Sequence, residues 1–176
     1  MTTEQPADEY NMRMNIEQEK MMEKTFGENV LFHGSPCKLD RLIPNQAVDT
    51  QFEEGCQYAV YATTSYDMAV CFALGCVEDS DDAQRIMLPE YGNKIHFINC
   101  HPNYGGKGYV YVLEKDRFTY AYGSQWVCYE PIVPLETIEI AVDDYLESHC
   151  VIECADTPGK DLTINVKESR NSRLIK

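Results

Sequence analysis

Three consecutive residues, His33-Gly34-Ser35, put an imidazole, an unobstructed stretch of backbone and a hydroxyl directly after the apolar run Val30-Leu31-Phe32. Histidine and serine form directional hydrogen bonds to hydroxyls or amides, and glycine lets a ligand reach main-chain N–H and C=O groups. The trio suits a small polar ligand, and it equally suits a strand-to-turn corner with a capped histidine. Eight cysteines (37, 56, 71, 76, 100, 128, 150, 154) and four histidines (33, 96, 101, 149) raise the question of metal. The neighbouring candidates are Cys71 with Cys76, Cys100 with His101, and His149 with Cys150 and Cys154; they do not form a pair of zinc knuckles. Scattered core thiols are therefore expected and no metal is assigned. A cysteine nucleophile paired with a histidine has no local support. Gly105-Gly106-Lys107-Gly108 lacks the Gly-x4-Gly-Lys-Ser/Thr spacing of a phosphate loop and reads as a hairpin turn, in a segment that is either a hairpin or a long connection. The acidic run from Glu78 to Asp82 lacks the glycine and distal glutamate of a calcium loop and reads as a solvated surface.

Further along, Val60-Tyr61-Ala62-Thr63 feeds a helix carrying Ala69 and Phe72, and Gly123-Ser124-Gln125-Trp126-Val127-Cys128-Tyr129 is a short strand after a small polar loop. With His33-Gly34-Ser35 these segments resemble, in order, the ADP-ribosyltransferase superfamily of poly(ADP-ribose) polymerases and diphtheria-type toxins. The likeness covers sparse patches between about 30 and 142. In that family the first core strand ends in His-Gly-Ser or His-Gly-Thr, a later one reads like Tyr-Phe-Ala-Asp, and the last begins with glutamate; here Gln125 stands in the glutamate's place. The resemblance implies an α+β fold of split antiparallel β-sheets with flanking helices and with NAD in the cleft between them. It also implies mono-ADP-ribosyl transfer to an unknown acceptor, a protein among the candidates.

The same resemblance assigns roles. His33 would bond the ribose next to nicotinamide, the Gly34 backbone would clamp the carboxamide, Ser35 would assist it, and Tyr61 or Phe72 would stack on the ring. Cleaving the bond between nicotinamide and ribose develops oxocarbenium character, which a carboxylate on the 2′-hydroxyl normally stabilises. Gln125 accepts that hydrogen bond without a charge, which slows or abolishes the reaction unless another acid substitutes. Glu130 is the obvious substitute, but its odd spacing from Gln125 turns it to the opposite face of a regular strand. Val60 and Cys71 fall where the family carries its tyrosines, with Tyr61 and Phe72 one residue later; a regular strand would point Tyr61 away from the pocket unless the register shifts. Two rival readings accompany this one. The first keeps the fold as a catalytically inactive nucleotide- or protein-binding module, and the second is an acidic decoy that engages a basic partner through charge.

The elements that would position these residues follow from periodicity and turn chemistry. Val30-Leu31-Phe32 and Tyr58-Ala59-Val60-Tyr61-Ala62 read as buried strands. Ser65 caps a helix with Asp67 in its first turn, an apolar face of Met68, Ala69, Phe72 and Ala73, and Gly75 at its exit. Residues 78 to 93 read as a variable surface excursion. Ile95–Ile98, Tyr109–Leu113, Trp126–Tyr129 and Ile138–Val142 are further strands, and a helix is expected from Asp143 to about His149.

The 176-residue chain has 44% apolar and 25% charged residues, which suits one globular domain with a sizeable core. We divide it into an N-terminal helical extension (1–29), holding five of the seven methionines, an ADP-ribosyltransferase-like domain (30–158), and a C-terminal tail (159–176) with one candidate strand, Leu162–Val166. The net charge of −14 opposes broad binding to nucleic acid or anionic membranes. The polar N-terminus and the lack of a long apolar run predict no signal peptide and no membrane span, hence a cytoplasmic protein with reduced thiols.

Overall fold

The computed structural model describes residues 17, 20–22, 24–47, 53–86 and 94–153. The expected tail and its strand, Cys154, and the residues around Pro89 and Gly92 lie outside the described residues. Of the N-terminal extension, residues 20–22 and 24–26 are helical, and Met22 and Phe26 pack against the domain.

The chain runs β1 (Val30–Ser35), β2 (Asn45–Gln46), β3 (Tyr58–Thr63), α1 (Tyr66–Ala73), β4 (Val77–Glu78), β5 (Gln84–Ile86), β6 (Ile95–Ile98), β7 (Cys100–His101), β8 (Lys107–Glu114), β9 (Thr119–Tyr122), β10 (Gln125–Cys128), β11 (Glu136–Ala141), α2 (Leu146–His149) and β12 (Cys150–Glu153). Among the described residues the main sheet has seven strands, all antiparallel, in the order β11-β8-β1-β3-β10-β9 with β2 on β3. A three-stranded sheet, β12-β6-β5, carries the parallel pair β12 and β6, and β4 pairs with β7. The architecture is thus α+β, mostly antiparallel, with few helices. No helix among the described residues is long and apolar enough to cross a membrane.

Alternation along β1 and β8 explains the layering. Leu31, Tyr111 and Leu113 point to one core with Val60, Ala62 and Cys128, while Phe32, Val110 and Val112 point to another beneath α1. Both strands are buried on both faces and so occupy the middle of the sheet. Ser65 caps α1 as its composition requires, its Oγ accepting from Met68 N at 3.2 Å, and Gly75 leaves the helix with φ 75°. The helix presents Ala69, Val70 and Ala73 to the main sheet and Cys71 to the small one.

Its approach to the main sheet is unusually close. A Cβ on Gly34 would lie 1.7 Å from the Ala69 carbonyl oxygen, and one on Gly108 would lie 2.2 Å from that of Ala73. Glycine at these two positions on adjacent strands is what lets the α1 backbone lie against the sheet.

Two expectations need correction. The glycine-rich stretch 105–108 is no hairpin turn: it joins β7 to β8, which belong to different sheets. Residues 78 to 86 are no mere surface excursion, because β4 and β5 fall there and Arg85 and Ile86 are buried. The polar trio ends the first strand as expected, forming the last three residues of β1, paired with Tyr111, Val110 and Tyr109.

Candidate functional site

The main sheet is split in its middle. β1 pairs with β8 at six positions from Val30 to Ser35, and β3 pairs with β10 at four, yet β1 and β3 meet only at Phe32 and Thr63. Past that point the two halves diverge, and the gap is bridged by a side chain: His33 Nδ1 donates to the Tyr61 carbonyl oxygen at 2.7 Å. A carbonyl only accepts, so Nδ1 carries the proton. Burial holds the ring's pKa below the usual 6.5, against the upward pull of the Tyr61 bond, so the imidazole is neutral. Nε2 therefore presents a lone pair, an acceptor for a hydroxyl or amide proton.

A cleft of about 90 Å³ opens at this split, lined by Phe32, His33, Gly34, Tyr61, Ala62, Thr63, Met68, Ala69, Phe72 and Gln125. Five residues chosen from the sequence, His33, Gly34, Tyr61, Phe72 and Gln125, come together in it. Ser35 does not line it. Its Oγ accepts from Cys37 N at 3.2 Å and so shapes the turn leaving β1.

Tyr61 reaches the cleft without any register shift. β3 pairs continuously with β10, and Tyr61, Thr63 and Gln125 share the face that carries Phe32, while Val60 is buried in the opposite core. Cys71 is likewise buried, against the small sheet, and its neighbour Phe72 lines the cleft. The expectation that a regular β3 would turn Tyr61 away is thus corrected, and both aromatics stand one residue past the family's positions. The Tyr61 hydroxyl is tied down, donating to Glu54 O and accepting from Gln57 N, each at 2.9 Å.

Gln125 opens β10 after the turn at Gly123, whose φ of 55° glycine tolerates, and pairs with both Thr63 and Tyr122. Its carboxamide has no hydrogen-bond partner among the described residues and is left to donate and accept within the cleft. Thr63, which the sequence reading missed, lies beside it; its hydroxyl donates to Ser124 Oγ at 3.1 Å and accepts from Ser65 N at 3.0 Å. The signal was available, since Thr63 is two residues past Tyr61 and hence on its face. Met68 and Ala69 enter because α1 starts directly over the split, which only tertiary packing shows.

Among the described residues no carboxylate lines the cleft. Glu130 is exposed on the loop after β10 and faces Arg117, their charged groups 3.5 Å apart. The site is neutral and small: an aromatic floor, an acceptor nitrogen, a hydroxyl and a carboxamide, in a space suited to one ring rather than a dinucleotide. Among the described residues no group of three or more histidines, cysteines or carboxylates can hold a metal ion. Comparisons with protein-family models, with curated proteins and with solved structures find no match.

Proposed function

We propose that this is an ADP-ribosyltransferase-like domain that binds NAD by its nicotinamide end, and that Gln125 makes it a slow mono-ADP-ribosyltransferase toward an unknown acceptor. The supporting observation is the convergence of His33, Gly34, Tyr61, Phe72 and Gln125 on one cleft at the split of the sheet. In this reading the nicotinamide ring enters between Tyr61 and Phe72, its carboxamide meets backbone at Gly34, and His33 Nε2 accepts from a ribose hydroxyl. Gln125 accepts from the neighbouring hydroxyl where the family uses a carboxylate. The adenine half extends beyond the cleft.

One observation favours the second reading, a catalytically inactive nucleotide-binding module: with no carboxylate in the lining, the positive charge that develops on the ribose has no counter-charge. Both readings require the same ligand. Thermal-shift and calorimetric titration with NAD, nicotinamide and ADP-ribose tests them, because a ligand that binds only the folded state raises its apparent stability. NAD should raise the melting temperature, nicotinamide should compete with it, and ADP-ribose should bind more weakly than NAD. No shift at millimolar NAD overturns the proposal, and NAD binding without nicotinamide release selects the inactive module.

A further inference from the structure

Four of the seven described cysteines gather where α1 meets the small sheet. Cys71 and Cys100 are buried there, Cys150 packs against them, and Cys76 is exposed just before β4. In their midst is Arg85, 9% exposed, with Cys76, Cys100 and Cys71 as its charge neighbours and no ion pair to a carboxylate among the described residues. Its guanidinium reaches Gly75 O at 3.4 Å and lies 5.9 Å from the Phe72 ring centroid, and its Nε has no hydrogen-bond partner among the described residues. A buried cation without a counter-ion is costly, and it calls for a function.

The thiols supply one. The register places Glu78 opposite Cys100 and Val77 opposite His101, so Cys76 and Cys100 fall on the same side of the β4–β7 pair. The Cys76 thiol is near enough to help raise the pKa of Cys100, whose Sγ contacts Gln84 O at 3.2 Å. We propose that Cys76 and Cys100 form a peroxide-sensitive thiol pair, with Cys76 as the attacking and Cys100 as the resolving sulfur.

In the first step Cys76 Sγ attacks one oxygen of hydrogen peroxide. The S–O bond forms, the O–O bond breaks, and the leaving hydroxide takes the Cys76 proton to become water. In the second, Cys100 Sγ attacks the sulfenic sulfur, the S–S bond forms, the S–O bond breaks, and the departing hydroxide leaves as water with the Cys100 proton. Two thiols and one peroxide give one disulfide and two waters. Exposure gives Cys76 access to oxidant, and the Arg85 guanidinium stabilises the negative charge shared between sulfur and oxygen in both transition states. Burial, and then the neighbouring Cys76 thiol, push the Cys100 thiol up to about 12, so it waits as a thiol until the sulfenic acid forms. Cys37 is also exposed but is no part of this cluster, and it serves as an internal control.

The test uses the full chain, treated with a few equivalents of hydrogen peroxide, then alkylated and mapped without reduction. The expected product links the tryptic peptide ending at Arg85 to the one that begins at Ile95, and dithiothreitol reverses it. Cys76→Ser should abolish the link, whereas Cys100→Ser should leave a sulfenic acid at Cys76 that dimedone traps. Arg85→Gln, checked for cooperative unfolding, should slow Cys76 oxidation roughly tenfold, and Cys37→Ser should change nothing. If Arg85→Gln does not fold, the Cys76→Ser and Cys100→Ser maps still decide. A link that survives Cys76→Ser, or oxidation of Cys37 with Cys76 and Cys100 both left as thiols, overturns the proposal.

Discussion

In the proposed function His33 joins two roles that a single truncation would confuse, and its two ring nitrogens allow them to be separated. Nδ1 holds the halves of the sheet together through Tyr61 O at 2.7 Å, and Nε2 is the nitrogen left for a ligand. His33→Ala removes both. A net hydrogen bond is worth about 0.5 to 1.5 kcal/mol, and exposing the abandoned carbonyl adds to that, so the loss should be about 1 to 2 kcal/mol. For a domain of this size that lowers the melting temperature by about 3 to 6 °C. His33→Asn is the discriminating variant. Its amide nitrogen stands close to where Nδ1 was and can still donate to Tyr61 O, so stability should stay within about 0.5 kcal/mol of wild type. Nothing in asparagine replaces Nε2, so NAD affinity should fall by about 1 to 3 kcal/mol, roughly 5- to 150-fold. Calorimetric NAD titration and thermal unfolding of the three proteins give both quantities. Wild-type NAD affinity in a folded His33→Asn protein would refute the ligand role and leave His33 as a bridge alone.

The close approach of α1 predicts that Gly34→Ala is severe, because a Cβ 1.7 Å from Ala69 O must displace backbone; about 3 kcal/mol or more should be lost on chemical denaturation. Gln125→Glu should raise nicotinamide release roughly 100-fold, since a charge about 5 Å from the reacting carbon at an effective dielectric of about 20 is worth about 3 kcal/mol, and unchanged or slower release in a liquid-chromatography assay would count against Gln125. Because folding lowers the His33 pKa from 6.5, the unfolded chain takes up a proton that the folded one resists, so stability falls as pH drops below about 6.5; the wild-type decline should be steeper than that of His33→Asn, measured by urea midpoints. With a net charge of −14 and no cation lining the cleft, NAD affinity should stay within about twofold between 0.05 and 0.5 M salt, whereas capture of a basic partner would weaken steeply over that range.

Much of the scaffold was legible because its elements obey local rules. Ser65 and Gly75 bracket α1, and the apolar runs around Leu31, Val60, Val112 and Ile140 mark strands of the main sheet. What escaped were short segments whose burial depends on distant partners. β5 reads Gln84-Arg85-Ile86, and nothing local predicts that an arginine flanked by glutamine is buried. β12 is extended because it lies parallel to β6, a pairing across more than fifty residues. The candidate site divides the same way. His33 and Gln125 could be picked out by residue type and order, whereas the facing of Tyr61 followed from its pairing with Val127, which no single-strand pattern contains. The resemblance offered Tyr61 or Phe72 for stacking and aligned Val60 and Cys71 with the family's tyrosines; Tyr61 and Phe72 line the cleft, and Val60 and Cys71 are buried in cores on either side.

Glycine 34 shows why fold and site cannot vary independently here. The sequence offers a ligand-side reason for it, free backbone, while the geometry supplies a second from the opposite direction, the Ala69 carbonyl pressed onto β1. That contact sets the height of the first turn of α1 over the split, and Met68, Ala69 and Phe72 line the cleft because of it. Any side chain at 34 lifts the helix and thereby moves the wall that faces Tyr61 and Gln125. Replacing Ala69 by glycine does not relieve the clash, because the obstructing atom is main-chain oxygen. Compensation must come from a shift of the whole helix, which the matching contact of Ala73 over Gly108 on β8 resists. The two glycines therefore hold α1 at one height, and the single β1–β3 pairing with its His33 bridge holds the gap at one width.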